Sequence, residues 1–456
     1  MAFSSSMPLS LICPKGKIGF SSNNHCMLGK WSAARCCASS FNRRALGTTA
    51  TTAIEPLPKQ ESSSPWLMLP PEFEAGGKTT SYEFYNLADN KVQTLSPNDE
   101  IGDLRLTCRG SSHGWLALLS QQDDGFFLYN PISGRHIKLP SILNLPTSAP
   151  PPKDILTSAR YVSKVILSCS PDEDEENCRV LILRGSGNPL AFCCPGRSKD
   201  WTLMFDDENR RCYEDCVYST RLKLFFVINS HISTDSYIST VRYGEIFKLK
   251  ERKLETWDLG DLSSPKLIKV DKCNYFTTME SFFWYNCVRN EYLVVVDEDL
   301  LLVIQYILFS VGPDGSHYDD DDDRYKYETI PDGGRYMTIG FEIFKYDDSE
   351  KGKFKYLDRS SLGDLAIFVG KHNHSVAIQA TEFPGVKPNS IYFTDGIYTG
   401  ELEGNESNDW DDYFWGSGHD IGIFNYQDKT VSQCYYPCDV QGMKIIVPAP
   451  IWFFPN

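Results

Sequence analysis

The sequence lacks any long apolar run. A membrane-spanning helix needs about 18 uninterrupted apolar residues, and the best stretch, residues 300–311, is interrupted by Gln305. We therefore expect no transmembrane segment and interpret this stretch as a buried strand. Amphipathic helices of about ten or more residues are also missing, which argues against a helical fold.

Recognisable catalytic arrangements are missing as well. The 15 cysteines include no Cys-x-x-Cys pair that would indicate a zinc or redox motif. Four of them precede residue 54 and 11 are scattered through the rest. Without a secretory signal, this odd and irregular set predicts reduced, mostly buried thiols rather than a disulfide framework. We assign no catalytic, cofactor-binding or metal-binding residues and expect no cofactor.

Acidic residues are absent from residues 1–54, which contain six Lys or Arg and many Ser and Thr. This composition is typical of an organelle transit peptide. The early run of Ser with no Arg before Arg35 favours a plastid, whereas the pair Arg43 and Arg44 favours a mitochondrion. We expect a mitochondrial protein, with the chloroplast as the alternative. Residues 55–65 carry three Pro and a run of Ser and are interpreted as a linker.

The rest of the chain has no excess of positive charge. Six of the 45 basic residues lie in residues 1–54, so 39 basic residues face all 60 acidic residues after them, a net charge of −21. The basic residues are interspersed rather than clustered, so this region would repel the phosphate backbone of a nucleic acid. We expect a protein partner and no nucleic acid.

Short strands separated by turns are what the chain does contain. Within residues 110–140, apolar and aromatic runs at residues 114–119 and 125–129 flank a polar turn. The sequence Asn-Pro-Ile-Ser-Gly at residues 130–134 then turns the chain into a third strand at residues 135–139. An antiparallel meander of this length is close to one blade of a β-propeller.

Similar segments recur to the end of the chain, each a strand followed by a polar turn and a return strand. The clearest examples are residues 127–130, 246–249, 343–346 and 423–426. One of them predicts a hairpin between residues 243–249 and 253–258. About 375 residues of short strands are too many for one β-sandwich but divide into blades. We therefore predict an all-β fold, a β-propeller of six or seven blades.

The ends of this domain predict how the ring closes. The first hairpin, residues 82–95, is two strands short of a four-stranded blade, while residues 434–436 and 451–454 are strand-like and left over. Because an open ring would expose unpaired strand edges, we expect these N- and C-terminal strands to share one blade. The aromatic residues 451–454 would then be part of the core.

Several segments match a known family in the same order along the chain. They are residues 110–116 (GSSHGWL), 129–134 (YNPISG), 137–140 (IKLP), 361–370 (SLGDLAIFVG), 383–395 (FPGVKPNSIYFTD) and 450–455 (PIWFFP). On these segments the chain resembles the plant KIB-type β-propeller family, also known as domain of unknown function 295. The resemblance implies a propeller domain over residues 66–456.

Members of that family often carry an N-terminal F-box, which would make them substrate receptors of a cullin-type ubiquitin ligase. Residues 1–65 show no helical, Leu- and Pro-rich F-box pattern. The chain is instead similar to the organelle-targeted branch of the family, whose members are mostly mitochondrial and have no established biochemical activity.

Three histidines are candidates for a site. His113 is interpreted as a structural residue at a blade edge, because no carboxylate lies near it in sequence. His372 and His374 have the spacing of two metal ligands on one strand face, and a solvated turn between two strands accounts for them as well. Residues 363–371 do not have the spacing of a phosphate-binding loop and are interpreted as a turn and a strand.

Two acidic segments remain. Residues 319–323 are five consecutive Asp, which lack the alternating ligands and central Gly of a calcium loop and are interpreted as a self-repelling surface loop. In residues 409–415 aromatic side chains are mixed with Asp. That segment is either a recognition loop or a loop that packs back on the propeller face.

From these observations we expect a non-enzymatic organellar scaffold or adaptor, monomeric, that binds a protein partner through loops on one face of the ring. One alternative is a substrate receptor of a ubiquitin ligase that has lost its F-box. The other is a propeller enzyme with a metal-dependent site in the central channel, at His372 and His374.

Overall fold

The structure is a computed structural model of the chain. It describes residues 64–73, 79–102, 104, 106–120, 125–145, 162–184, 190–204, 211–231, 252–273, 275, 287–309, 336–350, 353–358, 362–396, 418–435, 446 and 448–455. Strands dominate these residues; α1 (Asp99–Gly102) is a single helical turn, and 3-10 turns lie at Ile142–Asn144, Asp348–Glu350 and Ala380–Glu382. No helix in this part of the chain is long and apolar enough to cross a membrane. The predicted all-β fold is confirmed.

Six sheets form the blades of the ring, numbered I to VI along the chain. Blade I contains β1 (Trp66–Met68), β2 (Glu72–Phe73), β3 (Thr79–Asn86), β4 (Lys91–Leu95) and β26 (Ile451–Phe453). Blade II contains β5 (Leu106–Ser112), β6 (Trp115–Ser120), β7 (Phe126–Tyr129) and β8 (His136–Lys138). Blade III contains β9 (Lys164–Leu167), β10 (Val180–Leu183), β11 (Ala191–Cys193) and β12 (Thr202–Leu203).

The second half of the ring follows the same plan. Blade IV contains β13 (Arg211–Ser219), β14 (Leu224–His231), β15 (Arg252–Asp258) and β16 (Lys266–Lys272). Blade V contains β17 (Cys287–Val296), β18 (Asp299–Phe309), β19 (Tyr336–Asp347) and β20 (Lys353–Tyr356). Blade VI contains β21 (Leu365–Val369), β22 (Val376–Gln379), β23 (Ser390–Phe393), β24 (Gly422–Asn425) and β25 (Thr430–Ser432). Of the six or seven predicted blades, the structure forms six.

The inner strands β26, β5, β9, β13, β17 and β22 lie next to one another in that order around the centre of the ring. Six buried apolar clusters fill the six contacts between neighbouring blades, and the one between blades VI and I closes the ring. The hydrophobic core is therefore divided into six clusters between blades and is not one continuous cluster. In such a ring, blade VI lies opposite blade III.

Blade I is built from both ends of the domain. β26 pairs antiparallel with β1, with Trp66 opposite Phe453, and β1 pairs in turn with β3. Pro70 and Pro71 have no amide hydrogen, so they interrupt a strand that continues as β2 along the same edge of β3. The prediction that N- and C-terminal strands share a blade is confirmed, with β26 as its inner strand.

One part of the predicted closure is wrong. Cys434 and Tyr435 do not form a strand of blade I, because β25 pairs with β24 in blade VI and ends at Ser432, and the two residues follow it as a bend. They still contact blade I, since the ring centroids of Tyr435 and Tyr85 are 4.7 Å apart. The third residue of the predicted segment, Tyr436, lies outside the described residues.

The predicted hairpin of residues 243–249 with residues 253–258 is also wrong. Residues 253–258 belong to β15, which is paired along both edges, with β14 on one side and β16 on the other, so no edge remains for another strand. Residues 243–249 lie outside the described residues. β16 was not predicted, because it has no aromatic residue and its Ile268 and Val270 are 55% and 46% exposed.

Blade VI departs from a simple meander. From β21 the chain turns inward to β22, which pairs antiparallel with one edge of β21, and then returns to β23, which pairs parallel with the other edge. This path places the connection between β21 and β22, residues 370–375, at the centre of the ring. We refer to residues 370–375 as the bridge segment.

The closure of blade I predicts that the last strand is essential for folding. Trp452 is fully buried, with its ring 5.0 Å from Phe368 and 5.7 Å from Tyr392 between centroids. We expect Trp452→Ala to lower the free energy of unfolding by about 3–5 kcal/mol, measured by urea denaturation. Truncation after Ala449 should unfold or aggregate the chain.

Two controls distinguish this effect from general damage. Leu222→Ala, at a side chain that is 50% exposed, should change the free energy of unfolding by less than about 0.5 kcal/mol. Removal of residues 1–60 should leave the melting temperature unchanged. A chain truncated after Ala449 that melts with the full-length protein would show that closure does not depend on β26.

Candidate functional site

A buried carboxylate lies at the centre of the ring, where the inner strands of blades III, IV and V meet. A register shift between Tyr213 and Asp215 marks a β-bulge in β13, a device that re-aims a side chain. Asp215 forms an ion pair with Lys164 of β9, and both side chains are at most 3% exposed. It also accepts a hydrogen bond of 2.7 Å from the N–H of Leu293 in β17. One side chain thus joins three blades.

The bridge segment crosses the centre of the ring. The N–H of Ser111 in β5 donates to the carbonyl oxygen of His372 (3.3 Å), and the N–H of His374 donates to the carbonyl oxygen of Ser111 (2.9 Å). His372 Nδ1 lies 3.0 Å from the carbonyl oxygen of Ser163 in blade III. Because a carbonyl only accepts, Nδ1 carries the proton. Blade VI is therefore bonded to blade II and to blade III on the opposite side.

Two glycines permit this close approach. A Cβ at Gly110 of β5 would lie 3.1 Å from the carbonyl oxygen of His372, and a Cβ at Gly370 would collide with the side chains of Thr394 and Asn373. A side chain at Gly110 would press against the bridge segment, and one at Gly370 would displace Thr394 or Asn373. The sequence Gly-Lys-His-Asn-His is thus suited to a backbone that packs against backbone.

Three imidazoles accompany the bridge segment. The ring centroids of His113 and His374 are 5.3 Å apart, and His374 Nδ1 lies 3.4 Å from Ser112 Oγ. Burial lowers the pKa of His113 to about 4 and that of His374 well below its ordinary value. Burial and the positive charge of Arg109 lower the pKa of His372 to about 3. All three are therefore neutral at neutral pH.

These positions bear on the sequence-based interpretation of the histidines. His372 and His374 lie in a turn between two strands, as predicted, and are half-buried there. His113 lies in the β5–β6 turn. The described residues contain no group of three or more His, Cys, Asp or Glu side chains that could hold a metal ion. The acidic segments 319–323 and 409–415 lie outside those residues, and the strand predicted before the bridge segment is confirmed as β21.

One motif was missed in the sequence. Residues 110–114 read Gly-Ser-Ser-His-Gly, which matches the Gly-x-Ser-x-Gly pattern of hydrolases, where an exposed serine occupies a turn from a strand into a helix. Here Ser112 ends a strand that turns into another strand and is 3% exposed. Its Oγ accepts a hydrogen bond of 3.2 Å from the N–H of Leu167. This geometry is that of a buried structural serine.

A second buried polar cluster joins blades V and VI and was not predicted either. Asp395 follows β23, and Asp420 precedes β24, with its N–H 3.5 Å from a carboxylate oxygen of Asp395. Thr338 donates to Asp420 through its N–H (3.0 Å) and its hydroxyl (2.6 Å), and the hydroxyl of Tyr336 donates to Asp395. Burial and the charge of Asp395 raise the pKa of Asp420 to about 7. Asp420 is therefore partly protonated near neutral pH.

Comparisons with known proteins agree with this architecture. A family model described as the KIB1-4 beta-propeller matches residues 84–425, a range that starts in blade I and ends in blade VI. An F-box protein of Arabidopsis thaliana is 43% identical over 58 residues, which is 13% of this chain and 13% of that protein. The match therefore spans only a small part of its relative.

Several solved structures are similar at low scores. A chain of a nidogen/laminin complex has a TM-score of 0.33 and 9% identity, covering 82% of this chain and 93% of that chain. A chain of Kuenenia stuttgartiensis hydrazine synthase has a TM-score of 0.31 and 12% identity, covering 86% and 100%. An oligogalacturonate lyase in complex with manganese has a TM-score of 0.30 and 10% identity, covering 81% and 85%. These scores support no conclusion about function.

The central ion pair predicts a strong effect of removing one partner. Lys164→Met leaves the Asp215 carboxylate buried without its cation, and we expect a loss of about 3–5 kcal/mol in the free energy of unfolding. The double variant Lys164→Met, Asp215→Asn should lose less than the single one. The pair Lys355 and Asp347, whose side chains are 51% and 24% exposed, is the control, since Lys355→Met should cost less than about 1 kcal/mol. Urea denaturation measures all of them, and equal losses for both lysines would contradict the prediction.

The low pKa of His372 predicts a pH dependence. Its folded value of about 3 lies below an unfolded value of about 6.5, so the unfolded chain binds more protons between these values and the protein loses stability as pH falls below about 6.5. His372→Asn keeps a donor to Ser163 but does not titrate. Between pH 7 and pH 5 it should gain at most about 2 kcal/mol relative to the wild type, measured by denaturation at each pH. Parallel pH profiles would contradict this.

Proposed function

The chain belongs to the KIB1-4 β-propeller family, and on this premise we propose that it is a non-enzymatic scaffold or adaptor that binds a protein partner. The bridge segment is the observation that carries the proposal. Its backbone is bonded to blade II and the side chain of His372 to blade III, so the chain itself occupies the centre of the ring at this level. Partner binding is then left to the loops at the ends of the ring, the usual position of recognition surfaces on rigid scaffolds.

Charge supports a particular kind of partner. After residue 54, 39 basic residues face 60 acidic ones, so a partner with a basic surface would be attracted at long range. We propose a monomer that binds such a partner. Light scattering of the purified protein should give the mass of one chain.

The experiment that tests a non-enzymatic role looks for two kinds of chemistry at the centre of the ring. They are metal binding by the histidines and nucleophilic reactivity of Ser112. The purified full chain should contain no stoichiometric zinc, copper or iron by elemental analysis. A fluorophosphonate probe, which labels nucleophilic serines, should leave Ser112 unmodified. Bound metal that is lost in His372→Asn, or labelling that is lost in Ser112→Ala, would favour a propeller enzyme instead.

A ubiquitin-ligase receptor is the other alternative, because the matched Arabidopsis thaliana protein is an F-box protein. A pull-down with the Skp-type adaptor of the ligase tests it directly. Binding by the full chain that is lost on deletion of residues 1–65 would support the receptor. Binding by neither form would favour the scaffold.

We also propose that residues 1–54 direct the protein to an organelle, the mitochondrion first and the chloroplast as the alternative. A fluorescent reporter fused to these residues should enter one of the two organelles, as seen by microscopy with markers for each. A fusion with Glu in place of Arg35, Arg43 and Arg44 should stay in the cytosol, because import signals depend on positive charge. A cytosolic signal from the unaltered fusion would contradict the proposal.

A further inference from the structure

Two cysteines face each other on blade III, at the turn between β9 and β10. The ladder of these strands continues past their ends, where the N–H of Ser168 donates to the carbonyl oxygen of Arg179 (2.9 Å). Cys169 and Cys178 therefore occupy the next position, which is non-hydrogen-bonded. At such positions the Cα atoms are about 4.5 Å apart and side chains are closest, within the range of about 4.4–6.8 Å that a disulfide requires.

The two thiols already lie together. The thiol of Cys178 donates a hydrogen bond of 3.3 Å to the carbonyl oxygen of Cys169, and the neighbouring Cys178 thiol lowers the pKa of Cys169 to about 7. Cys178 is fully buried, whereas Cys169 is partly exposed. An accessible sulfur with thiolate character, backed by a second thiol, is the arrangement of oxidant-sensitive cysteine pairs.

We propose that Cys169 and Cys178 are a redox-active dithiol that a peroxide converts to a cross-strand disulfide. The Cys169 thiolate attacks one peroxide oxygen, so that an S–O bond forms, the O–O bond breaks and the departing hydroxide takes a proton to leave as water. Cys178 then attacks the sulfenic sulfur of Cys169, and the S–S bond forms as the S–O bond breaks. The proton of Cys178 leaves with that oxygen as a second water. Two thiols lose two electrons, and one peroxide becomes two waters.

The order of attack follows from the exposure of Cys169 and the burial of Cys178. The pKa of Cys178 is raised, first by the neighbouring Cys169 thiol and second by burial, so Cys178 keeps its proton while Cys169 is a thiolate. Once Cys169 is a neutral sulfenic acid, its sulfur no longer raises the pKa of Cys178. Cys178 is then the nucleophile, and the sulfur of Cys169 is the atom that it attacks.

The disulfide would close the loop of residues 170–177, which connects three blades. In this loop Asp172 and Glu175 both bind Arg135 of blade II, the former at 2.7 Å. Just after it, Arg179 Nε donates to the carbonyl oxygen of Leu259 in blade IV (2.9 Å). Oxidation would therefore fix the junction of blades II, III and IV.

One tryptic peptide reports on the reaction, because cleavage after Lys164 and Arg179 releases residues 165–179 with both cysteines. The full-length protein is treated with hydrogen peroxide, alkylated without reduction, digested and analysed by mass spectrometry. We expect this peptide to become two hydrogen atoms lighter and resistant to alkylation, and dithiothreitol should reverse the change. The reaction should be at least about tenfold faster than oxidation of Cys273, whose pKa burial raises to about 12.

Variants assign the roles of the two cysteines. Cys178→Ser should stop the reaction at a sulfenic acid on Cys169 that dimedone traps, and Cys169→Ser should leave Cys178 reduced. Cys178→Ala repeats the first test if the serine destabilises the buried site, with slower trapping because Cys169 loses the neighbour that lowers its pKa. Cys216→Ser, at a buried cysteine of β13, should change nothing. The proposal is overturned if the peptide of residues 165–179 stays fully alkylated, or if Cys169 instead forms a disulfide with another cysteine.

Discussion

Ring closure is the constraint on which the rest of the structure depends. Each blade has apolar side chains on both faces, and these are covered only when both neighbours are in place. The pairing of β26 with β1 and the packing of Trp452 between blades VI and I supply the last contact. Closure also brings the inner strands together, so that Asp215 reaches Lys164 and Leu293 from blade IV. A buried carboxylate is tolerated only when it is paired, so the closed ring and its central ion pair support each other.

Features that are local in sequence could be predicted. Asn130 accepts hydrogen bonds from the N–H groups of Ile132 and Ser133, and Gly134 has a φ of +71°, as the turn chemistry of this segment indicates. The shared blade was also predictable, because it follows from unpaired edges at both ends. The partner of β15 was not, since alternating patterns show that a strand exists but not which strand it pairs with.

The candidate site is long-range in origin, and this is why most of it was not predicted. Ser112 and His374 are 262 positions apart, and no spacing in the sequence indicates that they meet. The sequence His-Asn-His fits a metal-binding strand and a solvated turn equally well, and only the inward position of β22 makes it a bridge. Asp395 and Asp420 likewise lie next to the ends of different strands. The Gly-x-Ser-x-Gly motif could have been noticed, but only its context of a strand, a turn and a second strand shows its role.

The interleaved first blade has a consequence for biosynthesis. Translation at about 5–20 residues per second separates the appearance of β1 and β26 by roughly 20–80 s. During this interval Trp66 and Phe84 lack Phe453, the aromatic neighbour that lies 5.9 Å and 5.0 Å from them between ring centroids in the finished ring. The first blade to leave the ribosome is thus the last to be completed, and its unpaired inner edge is the part of the nascent chain that chaperones would need to hold.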